Sequence, residues 1–242
     1  MQLVKLDAID STNDFLKDLT RQQEVENFTV VTAENQTKGK GQMGANWNSE
    51  IGKNLIMSIL VKKFLLDSKE IFKLNIVVSL AVIRSLEGLQ IPNLSIKWPN
   101  DIMSGNKKIG GILIENSFKS DNSIDSIVGI GLNVNQIHFE NLPQASSLAL
   151  IMDSNFDKEA LLLLIVDNMK SMIKCWESDA ATLKDKYTKL LFNKDMIMPF
   201  QKTDQSIFMG VITGVTASGQ LEILSDQGLP LDFDIKEIKM MF

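Results

Sequence analysis

A chain of 242 residues with 44% apolar and 23% charged residues, little proline and no low-complexity tract can bury roughly 70–75% of its unfolded surface on folding, which excludes disorder as a working state. The formal net charge of −5 is spread along the chain, so no global basic field exists for a phosphate backbone and nucleic acid is not an expected partner. No membrane span or targeting segment is legible, which makes a cytoplasmic protein the expectation, and a single cysteine (Cys175) and histidine (His138) leave Lys, Asp, Asn and backbone groups to carry any chemistry.

In chain order, residues 3–8 alternate as a strand. Asp10-Ser11-Thr12-Asn13-Asp14 then supplies capping residues, with Ser11 and Asp14 three positions apart, ahead of a helical Phe15, Leu16, Leu19 pattern. Residues 28–33 form a β-branched strand that ends at Glu34-Asn35-Gln36. The next loop contains Gly39-Lys40-Gly41-Gln42-Met43-Gly44, which has the glycine spacing of a dinucleotide-binding fingerprint. That fingerprint requires a helix after its third glycine to receive the pyrophosphate. Here residues 45–54 lack a helical apolar period and run into residues 55–61 (LIMSILV), an apolar run of strand length, so the glycines form a loop between strands.

Residues 68–86 read as a long core helix carrying Ile71, Leu74, Val78, Leu80 and Ile83, with Gly88 as its stop. A strand at 94–98 is broken by Pro99, and residues 102–108 carry a glycine-containing turn of hairpin type. Strands follow at 109–115 and 127–134, with His138 in a loop. The pattern is helical from 157 to about 192, where Cys175 reads as a small buried hydrophobe. From Met196 onward it becomes short strands with turns at Ala217-Ser218-Gly219 and Asp226-Gln227-Gly228. The expected architecture is an α/β (α+β) domain over residues 1–192, built on a mixed, largely antiparallel sheet covered by helices, followed by a small β-barrel over residues 193–242.

Four polar clusters interrupt these apolar strands: Asp10 to Asn13, Gln36 with the glycine loop, Lys97-Trp98-Pro99-Asn100-Asp101, and Lys107-Lys108-Ile109-Gly110-Gly111. Taken singly, Ser11 is a helix cap, Trp98 a core anchor, Lys97 an edge residue with its stem on apolar surface, and Asn100-Asp101 a turn. Taken together, lysines, a carboxylate, side-chain amides and a pliable loop suit a cleft for a nucleoside triphosphate and a carboxylic acid. An ammonium stabilises charge developing on phosphate or carboxylate, an Asp can hold Mg²⁺, and glycine amides approach a ligand closely.

KWPND (97–101), followed by Lys108-Ile109-Gly110-Gly111-Ile112-Leu113-Ile114-Glu115 and by Gly129-Ile130-Gly131-Leu132-Asn133-Val134-Asn135, resembles the biotin protein ligase family. The opening DSTN, Gln36, the glycine loop and Trp47 follow the family's order, so the resemblance covers essentially the whole chain. It implies a catalytic domain like those of class II aminoacyl-tRNA synthetases with an SH3-like C-terminal domain. It also implies an ATP-dependent ligase that makes biotinyl-5′-AMP from biotin and Mg·ATP, then passes biotin to a lysine of a biotin carboxyl carrier protein domain. By that likeness Ser11, Thr12, Asn13 and Gln36 border biotin, and Gly39, Lys40, Gly41 and Gln42 close over it as a lid. Lys108 is the central cation between carboxylate and α-phosphate, with Lys97 and Asp101 beside it in the catalytic group. Trp47, Asn100, Asp101 and Asn133 line the ATP side with Asp101 as the metal ligand, and Gly111 and Gly129 allow close approach on the biotin side.

Two departures are visible. Many family members have arginines where this loop has Gln42 and Ala45, so a looser hold on the adenylate is expected, offset by Lys38 or Lys40. Members that repress transcription carry an N-terminal helix-turn-helix, whereas the Ser-Thr motif here begins at position 11, which suggests a monofunctional ligase, monomeric or homodimeric. A lipoate or octanoyl transferase would share the fold, but its Arg-Arg, triple-glycine and His pattern is absent. A binding module without catalysis is disfavoured by Lys108 and Asp101.

Overall fold

The computed structural model describes residues 2–67, 70–121, 123–140 and 142–241. β1 (Leu3–Ile9), β2 (Val30–Gln36), β3 (Leu55–Leu65), β4 (Leu94–Lys97), β5 (Asp101–Ser104), β6 (Lys107–Phe118) and β7 (Ile124–Leu132) form a seven-stranded sheet in the order β1-β2-β3-β7-β6-β5-β4. β1 and β2 run parallel; the other neighbours are antiparallel. From Leu55 to Val61 β3 is buried and, Ser58 apart, apolar, because both of its faces are covered there. Met57, Ile59 and Val61 join the main core beneath α2 (Ile71–Gly88) and α4 (Lys158–Lys189), while Leu60 meets Leu16 of α1 (Thr12–Gln22) on the opposite face. That opposite face, only partly covered by α1, is left for ligands.

Local chemistry explains the element ends. The Ser11 Oγ accepts from the Asp14 backbone N–H at 3.3 Å, as a helix N-cap does. Asp157 caps α4, accepting from the N–H groups of Glu159 and Ala160, and that helix is kinked at Asp179. Gly105 (φ 53°) supplies the left-handed residue of the two-residue β5–β6 turn, in which Ser104 faces Lys107. Lys107 and Lys108 therefore belong to β6 and not to the turn.

Some expectations need correction. Gly88 does not stop α2 but forms its last residue. The left-handed residue is Gln90 (φ 60°), with Gln90 N–H bonded to the Glu87 carbonyl and Ile91 N–H to that of Leu86, a Schellman ending made without glycine. The expected start at residues 68 and 69 lies outside the described residues. A short helix, α3 (Leu148–Met152), capped by Ser147, was not expected. Cys175 is half-buried at the edge of the core, and His138 lies in a loop.

β8 (Ile197–Lys202), β9 (Ile207–Val215), β10 (Leu221–Ser225), β11 (Pro230–Phe233) and β12 (Ile238–Met240) form an SH3-like antiparallel sheet in the order β11-β10-β9-β8-β12. Phe208 stacks between Phe200 and Phe233 with ring centroids 5.7 and 5.8 Å away. Phe200, Ile212, Leu221 and Ile223 belong to the same apolar cluster as α2 and α4, so the second sheet is packed on the first unit. Among the described residues no helix is long and apolar enough to cross a membrane.

Candidate active site

The site starts at the β1–α1 corner. Gln36, at the end of β2, accepts through Oε1 from the Thr12 backbone N–H at 2.8 Å and from its hydroxyl at 3.0 Å. Asn13 donates through Nδ2 to Glu115 Oε2 at 2.8 Å. The Ser58 hydroxyl lies 2.5 Å from Asn13 Oδ1 and 2.8 Å from Thr12 Oγ1, so a buried polar network holds Thr12 and Asn13 at fixed angles. Ser58 was not singled out from the sequence, and Glu115 closed the Lys108 segment there without a role of its own. The available signal was the lone hydroxyl within LIMSILV on a strand buried on both sides.

Beneath this corner β7 has no side chains where others must pass. A Cβ on Gly129 would stand 2.5 Å from Asn13 Oδ1, and one on Gly131 would stand 2.6 Å from the Trp47 indole. The glycines thus let Asn13 and the Trp47 ring lie on the sheet. Trp47 Nε1 is enclosed and has no acceptor among the described residues.

The glycine loop folds back on itself. Trp47 N–H donates to the Gly39 carbonyl at 2.9 Å and Gly41 N–H to the Ala45 carbonyl at 2.7 Å, while Met43 (φ 57°) and Gly44 (φ 83°) turn the tip. Lys40, Gly41 and Gln42 line the cleft, but Gly39 is buried away from it, where a Cβ would run into the Trp47 carbonyl. Lys38 and Lys40, expected to stand in for missing arginines, are instead paired with Asp10 at 2.7 Å and Asp14 at 2.6 Å. These pairs latch the loop to the start of α1. The Lys38 hydrogen bond, with help from Thr37, holds the Asp10 carboxyl below its usual range, and the Asp10 bond raises Lys38.

The cation–carboxylate pair comes from a defect in the sheet. Opposite β5, the β6 register shifts between Ile102 and Met103, so Met103 faces Lys108 where an unbroken ladder would give Ile109. Ile109 and Ile112 therefore both enter the core, and Lys108 turns to the ligand face. Its ammonium meets Asp101 Oδ1 at 2.6 Å and lies over Gly111, 3.7 Å from where a Cβ would stand. Lys97, at the end of β4, has its pKa lowered by burial; Asp101 pulls it back up, and Lys108 and Lys239 push it down.

Three hollows meet here. One, of about 300 Å³, is bounded by the Thr12–Gln36 corner, the loop, and Gly111 and Gly129. A second, of about 420 Å³, runs past Trp47, Lys97, Asn133 and Phe139. A third, of about 640 Å³, opens between Lys97 and the C-terminal sheet. Asp101 borders all three; Lys108 and Trp47 stand between the first two. Asn100 lies on the first hollow, and its Nδ2 donates to the Ile112 carbonyl at 2.7 Å. Asn133 borders the second, with its Nδ2 bonded to the Ser146 carbonyl at 3.0 Å. Ile235 and Lys236 of the β11–β12 connection wall the first and third hollows, a contribution from far along the chain that no motif announced.

Among the described residues no cluster of three or more His, Cys, Asp or Glu side chains could cage a metal. A Mg²⁺ ion needs only one or two protein carboxylates when substrate phosphates and water fill its remaining positions, and Asp101 fits that role.

Comparison with known proteins agrees with this geometry. The profile of the biotin/lipoate A/B protein ligase family matches residues 6–135. The bifunctional ligase/repressor BirA of Bacillus spizizenii is 35% identical over 134 residues, which is 55% of this chain and 41% of that protein. BirA of Escherichia coli is 26% identical over 91% of this chain and 68% of its own length. The biotin protein ligase from Aquifex aeolicus, solved with biotin and ATP, superposes with a TM-score of 0.80 at 27% identity, covering 99% of this chain and 98% of that one. With the family profile matching more than half of its length, the chain belongs to the biotin/lipoate A/B protein ligase family.

Proposed function

We propose that this protein activates biotin with ATP as biotinyl-5′-AMP and transfers the biotinyl group to one lysine of a biotin carboxyl carrier protein domain. The observation that carries this reading is the Lys108–Asp101 pair at 2.6 Å where the three hollows meet. The relatives' names, and the biotin and ATP of the Aquifex aeolicus structure, support the choice of biotin over lipoate.

In the first step a biotin carboxylate oxygen attacks the α-phosphorus, the bond to the bridging oxygen breaks, and pyrophosphate leaves. Two anions must touch for this to occur. Lys108, swung from Asp101 onto both, offsets their repulsion and the charge of the transition state, a contact worth roughly 3–4 kcal/mol when lost. Asp101 is the residue that would hold a Mg²⁺ ion together with the phosphates, and the ion would supply charge neutralisation on the nucleotide. The enclosed Trp47 Nε1, lacking an acceptor among the described residues, would find one in a ligand oxygen brought to it.

In the second step a lysine amine attacks the acyl carbon, the bond to the phosphate oxygen breaks, and AMP leaves. The proton shed by the amine goes to Asp101, the carboxylate that borders all three hollows of the site. Thr12, Asn13 and Gln36 hold the ring system, while the loop at 39–47 acts as a lid that keeps water from the mixed anhydride. Residues 1–192 form the catalytic unit in this proposal and residues 193–242 a second unit completing the cleft.

Mass spectrometry of a carrier domain incubated with the protein, biotin, ATP and Mg²⁺ tests the proposal, with one added biotin on one lysine expected. Pyrophosphate release with octanoate or lipoate but not biotin would place the chain on the lipoate branch; none with any acid would leave a binding module.

A further inference from the structure

We infer that Lys236 and Lys239, carried by the C-terminal sheet, hold the pyrophosphate half of the nucleotide, so that the leaving group of the first step sits in the hollow between the two units. The inference rests on the proposed adenylation.

Lys97, Lys236 and Lys239 line the third hollow, Lys108 stands beside it, and Asp101 is the one carboxylate among its described lining residues. Lys108 is spent on Asp101, whereas neither Lys236 nor Lys239 has an ion-pair partner among the described residues. Lys97 is close enough to both Lys108 and Lys239 for their charges to act on it. Such an excess of like charge, held apart by two sheets, is unfavourable until an anion arrives. Lys236 adds a second observation. It sits at φ +75°, a conformation that residues with a Cβ rarely adopt, at the head of the turn that walls both the cleft and the hollow beyond it.

Across the first hollow the glycine loop offers little competing cationic charge. Gln42 and Ala45 are neutral, and Lys40 is bound to Asp14. A compact anion with several charges satisfies this cluster, whereas a protein carboxylate would bring only one. The hollow shares Asp101, Pro99, Ile235 and Lys236 with the cleft, so the two adjoin at the carboxylate that Lys108 holds.

The test compares wild type with the K236Q/K239Q and K236R/K239R double variants; both lysines are exposed, so neither change threatens folding. Inorganic pyrophosphate is titrated calorimetrically into each protein without biotin. The KM values for ATP and for carrier domain, and the Kd for biotin, are then measured. The Gln pair is expected to weaken pyrophosphate binding and raise the ATP KM about tenfold or more, leaving biotin affinity unchanged, with the Arg pair restoring most of the loss. If biotinylation proceeds and the Gln pair leaves both pyrophosphate affinity and ATP KM intact, the inference fails while the proposed function stands. A rise confined to the carrier-domain KM would also overturn it, assigning the groove to the acceptor protein. Pyrophosphate binding lost in the Gln pair would uphold the site even if the acid activated were not biotin.

Discussion

The Trp98 indole donates to the backbone carbonyl of Gly219 at 2.9 Å, joining the KWPND motif to a turn of the C-terminal sheet 121 positions away. The bond is buried, so Trp98→Phe would leave the carbonyl without its partner at a cost of about 1–3 kcal/mol. Urea unfolding should show a lower midpoint with an unchanged slope. Because Ile235 and Lys236 reach the cleft only while the second sheet is seated, ATP affinity should fall in the same variant.

Gly131→Ala should displace the glycine loop. The new methyl would stand 2.6 Å from the Trp47 ring and force the indole off the sheet. Overpacking of this kind typically costs about 1–3 kcal/mol. Here the loop can move instead, so the expected outcome is faster proteolysis within residues 39–47 and weaker ligand binding, with little change in the unfolding midpoint.

Lys108→Gln should slow pyrophosphate formation by about 10²- to 10³-fold and leave the fold intact. A Lys108→Arg change should not restore full rate, because a guanidinium fork does not reproduce the compact ammonium. Pyrophosphate exchange, read with saturating biotin and ATP, reports both.

The latch of the loop should depend on pH at the extremes alone. Asp10 is held below the usual carboxylate range, chiefly by the Lys38 hydrogen bond, so its contribution is full above the ordinary aspartate value and is lost as pH falls through the lower folded value. Lys38 is raised above 10.5 by the same bond, so its contribution is full below 10.5 and disappears as pH rises through the higher folded value. Limited proteolysis of the loop should be flat between those limits and rise outside them. Both groups are exposed, so added salt and Asp10→Asn should loosen the loop at neutral pH as well.

Local signals were enough wherever short-range chemistry decides the structure. Ser11 as a cap, Gly105 as a hairpin turn and LIMSILV as a buried strand all follow from neighbouring residues. The end of α2 was misread because glycine is only the cheapest left-handed residue, and tertiary packing held Gln90 in that role instead. KWPND and the Lys108 segment pointed to the centre of the site, yet the shift in β6 that aims Lys108 is visible only in the paired register. Ser58, Ile235 and Lys236 owe their places to contacts between distant segments, for which one chain's text carries no local signature.

Asp101 lies where three openings converge, each walled by different parts of the chain. An occupant of one opening need not depart before another molecule reaches the carboxylate. In the proposed two-step reaction the anhydride could therefore be approached from the side by its acceptor while the flap stays down, which would make fidelity against spillage a matter of plumbing more than of speed.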